Sequence, residues 1–202
     1  MNDSDEFRMS TIVKRVNPDD VVLDVGCVRH STEQRQQGNL HDELVQKANQ
    51  VLGVDRVEDE VQSMTKDGYD VVVGDAERLE ELNKESTFDV VVAGELIEHL
   101  SNPGLFLDGA HGVTGANGRL LLSTPNPHAV VYTKKMILNQ NNNDEHSCWF
   151  DEQFIKQLAG RHGWELVDLV YRPPTGGLSR LAWRISPQLG GPGFVAEFQK
   201  QE

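Results

Sequence analysis

The chain has 202 residues, 38% of them hydrophobic, which is enough for one domain with a sizeable core. Its 32 acidic side chains against 19 basic ones give a net charge of -13, which argues against an extended nucleic-acid backbone as the main partner. No apolar run reaches the ~18 residues of a membrane span, Asp3, Asp5 and Glu6 contradict a signal peptide, and two cysteines, Cys27 and Cys148, suit a reducing cytoplasm. Neither a membrane nor extended nucleic acid is therefore expected as a partner.

Phe7, Ile12, Val13 and Val16 recur at near-helical spacing and predict a leading helix over 6–16, within an N-terminal extension 1–17. Val21-Val-Leu-Asp24 is a first buried strand, followed by Gly26 and Cys27, then by a polar stretch over 29–39. Leu40, Leu44, Val45 and Ala48 predict a helix, and Val51-Leu-Gly-Val-Asp55 a second strand ending on an acid. A helix with Val57, Val61 and Met64 leads to a third strand over 70–75, and Leu79 and Leu82 mark a short helical segment.

The run from Asp89 to Ala93 is β-branched and apolar, as in a strand buried on both faces of a parallel sheet. From Glu95 onward Leu96, Ile97 and Leu100 fall at helical spacing, with Glu95, Glu98 and His99 on another face. A helix with Leu105, Phe106, Leu107 and Ala110 follows Pro103, and Gly115-Ala-Asn-Gly118 is expected to turn into a fifth strand over 119–124. Beyond it the periodicity predicts helices over 129–138 and 151–162, a strand over 164–171, a short apolar segment over 178–185 and a last strand over 193–198. Strands alternating with helices define a single α/β domain with a mostly parallel sheet.

Polar or glycine positions close four of these strands: Asp24 with Gly26, Asp55, Asp75, and Gly94 with Glu95. Open α/β sheets bind ligands at that edge. A carboxylate ending the second strand suits a ribose diol, since it can accept from both hydroxyls. The loop after the first strand lacks G-x-G-x-x-G, so no pyrophosphate cradle is evident and a nucleoside without phosphates fits better than a dinucleotide.

Val22-Leu-Asp-Val-Gly-Cys27, Val51-Leu-Gly-Val-Asp55, Val73-Gly-Asp-Ala-Glu77, Phe88-Asp-Val-Val-Val-Ala-Gly-Glu-Leu-Ile-Glu-His-Leu100 and Gly118-Arg-Leu-Leu-Leu-Ser-Thr-Pro-Asn126 resemble the successive motifs of class I S-adenosylmethionine-dependent methyltransferases. The likeness runs over about 18–172 and is nearest to the small-molecule group of ubiquinone-biosynthesis O-methyltransferases. It implies a Rossmann-like, seven-stranded, mostly parallel sheet flanked by helices, with the last strand antiparallel. It also implies S-adenosyl-L-methionine as cofactor and a small-molecule acceptor, with methyl transfer expected at oxygen.

By the same resemblance the cofactor-binding residues are Asp24, Gly26 and Cys27 at the methionine part, Asp55 with Arg56 at the ribose, Asp75 and Ala76 at the adenine, and Gly94 and Glu95 near the sulfonium. Residues 127–155 and 172–192 would build the acceptor side, where Tyr132, Trp149, Phe150 and His128 are either core or pocket. The first loop departs from the family pattern, with Val28 and His30 at its second and third glycines. Asp55 lies 31 positions after Asp24, and removing the eleven residues 29–39 restores the usual spacing of ~20. That stretch is an insertion, either a lid or a surface loop, and His30 either reaches the cofactor or faces solvent.

Removing a proton from the acceptor calls for a base, and His99, Glu98 and His146 are the candidate catalytic residues. Glu95, Glu98, His99 and His146 also resemble a Glu-x-x-Glu-His motif with a downstream His that holds a divalent metal in related methyltransferases. The plainer alternative is two acids favoured by a helix N-terminus beside a packed histidine. Two rivals stand against the enzyme reading. A nicotinamide-dependent oxidoreductase or epimerase lacks support for want of G-x-G-x-x-G and Tyr-x-x-x-Lys, whereas a non-catalytic cofactor-binding domain would fit the altered first loop.

Overall fold

The computed structural model describes residues 3–28, 39–82, 87–140 and 143–202. Its strands are β1 (Val21–Val25), β2 (Gln50–Asp55), β3 (Val71–Val73), β4 (Phe88–Gly94), β5 (Thr114–Pro125), β6 (Trp164–Tyr171) and β7 (Gly193–Lys200). They form one seven-stranded sheet in the order β3-β2-β1-β4-β5-β7-β6. β7 runs antiparallel to both of its neighbours, and the remaining pairs are parallel. The helices are α1 (Asp3–Val13), α2 (Leu40–Lys47), α3 (Glu58–Lys66), α4 (Pro103–Val113), α5 (Val130–Ile137), α6 (Glu152–Arg161), α7 (Gly177–Ile185) and the single turn α8 (Pro187–Gly190).

The sheet is covered on both faces, which explains the unbroken apolar run of β4. Val91 and Ala93 point into a layer with Leu23, Phe106, Leu107 and Trp164, while Val90 and Val92 point into one with Met9, Ile12 and Leu44. Side chains two apart share a face of a strand, so one β-branched run feeds two cores. The Trp164 indole would be costly to bury unpaired, and its N–H donates to the Leu107 carbonyl at 3.0 Å.

The leading helix belongs to the second layer through buried Met9 and Ile12. Arg15, just past its end, pairs with Asp168 and Glu197, and Arg119 pairs with Asp20 at 2.9 Å and Glu197 at 3.2 Å. These pairs tie the N-terminal segment to the far edge of the sheet. At the start of α4, Pro103 occupies the first turn and the Glu77 carboxylate accepts from the backbone N–H of Ser101 at 2.7 Å and of Asn102 at 2.8 Å. Glu77 therefore holds a loop together, and its hydrogen bonds to Asn102 keep its carboxyl below the usual range.

Four sequence expectations change. No α-helix runs on from Glu95: a single 3-10 turn spans Ile97–His99 and Leu100 returns to extended backbone. The cause is distant in sequence. The Glu98 carbonyl accepts from the N–H of Ser147 at 2.9 Å and of Cys148 at 3.2 Å, and the Leu100 carbonyl from the Ser147 hydroxyl at 2.7 Å, so neither serves an intrahelical ladder. The expected turn at 115–118 lies inside β5, where the register against β4 jumps from Phe88↔Thr114 to Val90↔Arg119. The apolar segment at 178–185 is helix α7, and the third strand is only Val71–Val73. Apart from Asn39, the insertion at 29–39 lies outside the described residues, and His30 with it.

Candidate active site

The strand order reverses between β1 and β4, and the crevice at such a switch point is where open α/β sheets take their ligands. The two loops that meet there are the one after β1, through Gly26, and the one after β4, through Gly94, Glu95 and Leu96. Gly26 has a positive φ of 78°, and a Cβ on it would stand 3.1 Å from Leu96 Cδ1, so a side chain there would be both strained and crowded. Its N–H donates to the Val54 carbonyl at 2.8 Å, which pins the loop beside β2.

Asp24 does not face the crevice freely. Its side chain is buried and takes the Nδ1–H of fully buried His41 at 2.9 Å. His41 comes from α2, leans on Tyr69 at 5.5 Å between ring centroids, and fits because Gly53 has no Cβ: one would meet His41 Cε1 at 2.9 Å and Cys27 Sγ at 2.8 Å. Cys27 is likewise buried, packed with Val61, Met64 and Val71. Its carbonyl accepts from the Asn39 side chain at 3.2 Å. The pattern that singled out Asp24 gave no sign of its partner, since a histidine between Leu40 and Leu44 looks like any polar helix position.

At the end of β2 the Asp55 carboxylate accepts one backbone N–H on each oxygen, from Val28 at 3.1 Å and Val57 at 3.0 Å. Each oxygen keeps a lone pair, so the carboxylate can still accept from both hydroxyls of a vicinal diol. Arg56 beside it is exposed. Asp75 is exposed with Oδ1 taking the Glu77 N–H at 2.9 Å, and Ala76 is half-buried next to it. A glycine-lined switch point flanked by a pinned carboxylate thus fits a nucleoside with an amino-acid tail.

On the other side of the crevice, Glu95 holds a left-handed backbone with φ 54°, uncommon for a non-glycine residue and costing about 1 kcal/mol. Its N–H is gripped by Ser123, at 3.0 Å from the hydroxyl and 3.1 Å from the carbonyl. Glu95 lines a pocket with Arg8 of α1, Ser123 of β5, Tyr132 of α5, and Arg172 and Phe194. Burial, with Glu95 next, pushes the Tyr132 hydroxyl up to about 12, so it stays protonated as a donor.

Glu98, His99 and His146 come together, each offering a ligand atom within 4.8 Å of the others; Glu95 is not part of that group. Glu98 is 1% exposed, and burial, reinforced by the Glu95 charge, pushes its carboxyl up to about 8. Its Oε2 accepts from the Thr124 hydroxyl at 3.0 Å, while Oε1 is buried with no partner. The His99 Nδ1–H donates to the Glu145 carbonyl at 3.1 Å, which directs the lone pair of the neutral ring to Nε2. His146 stacks edge-on against His99 and then Trp149, which continues to Tyr132 at 4.9 Å. Burial and the nearby His99 lower the His146 pKa, and its Nδ1 is a second buried atom without a partner.

Among the other sequence candidates, Phe150 is core. His128 is half-exposed and pairs with Asp151, the N-cap of α6, at 2.8 Å. The two cysteines are not bonded to each other, and burial and Glu98 push the Cys148 thiol up. Sequence reasoning missed His41, Thr124, Arg8 and Arg172, of which only Thr124 lay inside a noted motif.

Chains of known structure share this fold. A solved S-adenosylmethionine-dependent methyltransferase from Archaeoglobus fulgidus superposes with a TM-score of 0.66 at 16% identity, covering 96% of this chain and 92% of that one. The YcgJ protein of Bacillus subtilis gives 0.67 at 16% identity over 98% and 99%. The 1,6-didemethyltoxoflavin-N1-methyltransferase of Burkholderia thailandensis, with 1,6-didemethyltoxoflavin and S-adenosylhomocysteine bound, gives 0.64 at 19% over 98% and 80%. At such identities the likeness establishes the fold. No curated protein matches the sequence. The model of the methyltransferase domain family matches residues 7–169, and the chain belongs to that family, as a class I S-adenosylmethionine-dependent methyltransferase.

Proposed function

We propose that this methyltransferase acts on a small-molecule acceptor at oxygen, with Glu98, His99 and His146 handling the acceptor proton. The observation that carries this is Glu98, a buried carboxyl raised to about 8 beside two histidines, where β4 meets the pocket of Arg8, Glu95, Tyr132 and Arg172. When bound, S-adenosylmethionine supplies an electrophilic methyl group at its sulfonium. Asp55 takes the ribose hydroxyls, Asp75 and Ala76 flank the adenine, and Gly26 lets the backbone approach the methionine part. Arg56, exposed at the mouth, and Cys27, through its backbone, complete the cofactor side.

Gly94 and Glu95 border the reacting carbon, and Ser123 fixes the backbone there. Leu96, packed over Gly26, helps exclude water. The acceptor hydroxyl gives its proton to the free Nε2 of His99 or to ionised Glu98. A carboxylate of pKa near 8 is a much better base than an ordinary one. Tyr132 stays a hydrogen-bond donor to the acceptor. The Burkholderia relative, holding 1,6-didemethyltoxoflavin, supports a small acceptor, though its methylation is at nitrogen.

A second reading rests on two of the four buried side-chain atoms without a partner among the described residues, Glu98 Oε1 and His146 Nδ1. With His99 they match the oxygen-and-imidazole ligand set of a divalent ion, which would acidify an acceptor hydroxyl. Calorimetric titration of the S-adenosylhomocysteine-bound protein with Mg²⁺, Mn²⁺ and Zn²⁺ decides it, since absence of binding removes the metal. A panel of phenols, aliphatic alcohols and amines, read by release of S-adenosylhomocysteine, tests the main reading. Turnover confined to amines would sink transfer to oxygen.

A further inference from the structure

The acids of this chain are unevenly spread. No Asp or Glu stands between Asp108 and Asp144, and none between Asp168 and Glu197, in a protein of net charge -13. Those stretches contain α5, α7 and α8, and α7 packs against both of the others. Lys134, Arg180 and Arg184 are exposed on these helices, and Lys135 lies over the Tyr132 ring at 5.5 Å.

The same surface is apolar. Met136, Ile137 and Leu138 at the end of α5 are 70%, 75% and 53% exposed, and Leu178, Leu181 and Ile185 on α7 are 61%, 57% and 76% exposed. Offsets of three and seven put the apolar α7 residues on one face of the helix, and at ~100° per residue Arg184 falls about 90° and Arg180 about 130° round from that stripe, both on the same side of it. An isolated exposed leucine is ordinary, but six large apolar side chains on two touching helices form a patch.

We propose that α5 and α7 dock this protein on an anionic lipid surface, with the apolar stripe among the acyl chains and the lysines and arginines at the headgroup phosphates. This departs from the expectation, drawn from the sequence, that no membrane is involved. Charge complementarity selects the occupant. A negative bilayer repels a chain of net charge -13 least where the helices themselves carry no acid, as α5, α7 and α8 do not, so this face also sets the orientation. A symmetric contact with a second copy would set these lysines and arginines against themselves. A nucleic acid would use the basic groups and leave the six apolar side chains in water. Among the described residues no helix is long and apolar enough to cross a membrane, so the contact is peripheral. Because α5 carries Tyr132 and Arg172 leads into α7, docking places the mouth of the pocket at the lipid surface.

Flotation of the full chain with phosphatidylcholine vesicles, with and without phosphatidylglycerol, tests this, and calorimetric affinity for S-adenosylhomocysteine reports an intact fold. Binding is expected with phosphatidylglycerol, about tenfold or more weaker without it, and falling with salt. Leu181→Glu combined with Ile185→Glu should abolish it, and Arg180→Gln combined with Arg184→Gln should weaken it and flatten the salt dependence, both at unchanged S-adenosylhomocysteine affinity. Wild type that binds S-adenosylhomocysteine but not the anionic vesicles overturns the proposal. So does a dimer that the Leu181→Glu, Ile185→Glu variant dissolves without any vesicle binding, which would give the face to a second copy. Loss of S-adenosylhomocysteine binding by wild type would instead count against the cofactor reading.

Discussion

Two buried carboxyls stand near the carboxyl ends of neighbouring strands, Asp24 in β1 and Glu98 just past β4, and their surroundings differ sharply. Asp24 is 2% exposed and paired with His41, with Gly53 making room for the ring. Glu98 is 1% exposed, bonded on one oxygen to a neutral hydroxyl and on the other to nothing. The first acid is satisfied and holds the cofactor half of the sheet together. The second is kept costly beside two half-exposed histidines and the pocket. His41 Nε2 is also buried without a partner, so what sets Glu98 apart is the orphaned oxygen of the acid itself beside a pocket, and under the proposed function this contrast separates the part of the edge that builds the site from the part that works in it.

Several substitutions sharpen or break that contrast. Glu98→Gln should lower turnover by about 10²–10⁴-fold while leaving S-adenosylhomocysteine affinity unchanged, as measured by methyl-transfer assay and calorimetry. His41→Ala strands the Asp24 charge in the interior and should cost about 3–5 kcal/mol in urea unfolding. If it costs nothing, the two acids are not different in kind. Asp55→Ala should weaken S-adenosylhomocysteine binding by about 10–100-fold, because it would remove the proposed acceptor for the ribose hydroxyls and unpin the Val28 and Val57 N–H groups.

The smallest expected effect concerns pH. The Glu98 pKa is raised in the fold from 4.5 to about 8, so the folded chain holds that proton more tightly than the unfolded one. The resulting stability is complete below 4.5 and is lost as pH rises through about 8. In chelator-treated buffer above that pH, Glu98→Gln should therefore be more stable than wild type in urea unfolding. Activity should run the other way, rising with pH as Glu98 ionises.

Much of the fold was legible because β4 and its neighbours are buried on both faces, and such strands show as unbroken runs like Val90-Val91-Val92. The positions of Asp55 and Gly26 at the ends of their strands were legible for a related reason, since the end of a buried strand fixes where the next loop begins. The stretch after Gly94 was misread as a helix because Leu96, Ile97 and Leu100 have helical spacing. What stops that helix is Ser147 and Cys148, about fifty positions away, and no local pattern reports it. His41 was hidden for the same reason, since its role exists only through Asp24 across the layer. Helix α7 was masked by Pro173, Pro174, Gly176 and Gly177, which signal a loop, while its apolar face lacks the buried partner that usually gives such a stripe its meaning.

The difference between the two acids is tested most directly by observing the side-chain carboxyl signals of glutamate-labelled, metal-free protein by NMR across a pH titration. One glutamate should titrate near 8, and that signal should be missing from Glu98→Gln. If every glutamate instead titrates close to the ordinary 4.5, Glu98 is not held neutral by its burial, and the assignment of the β4 tip as the working end of the site is wrong.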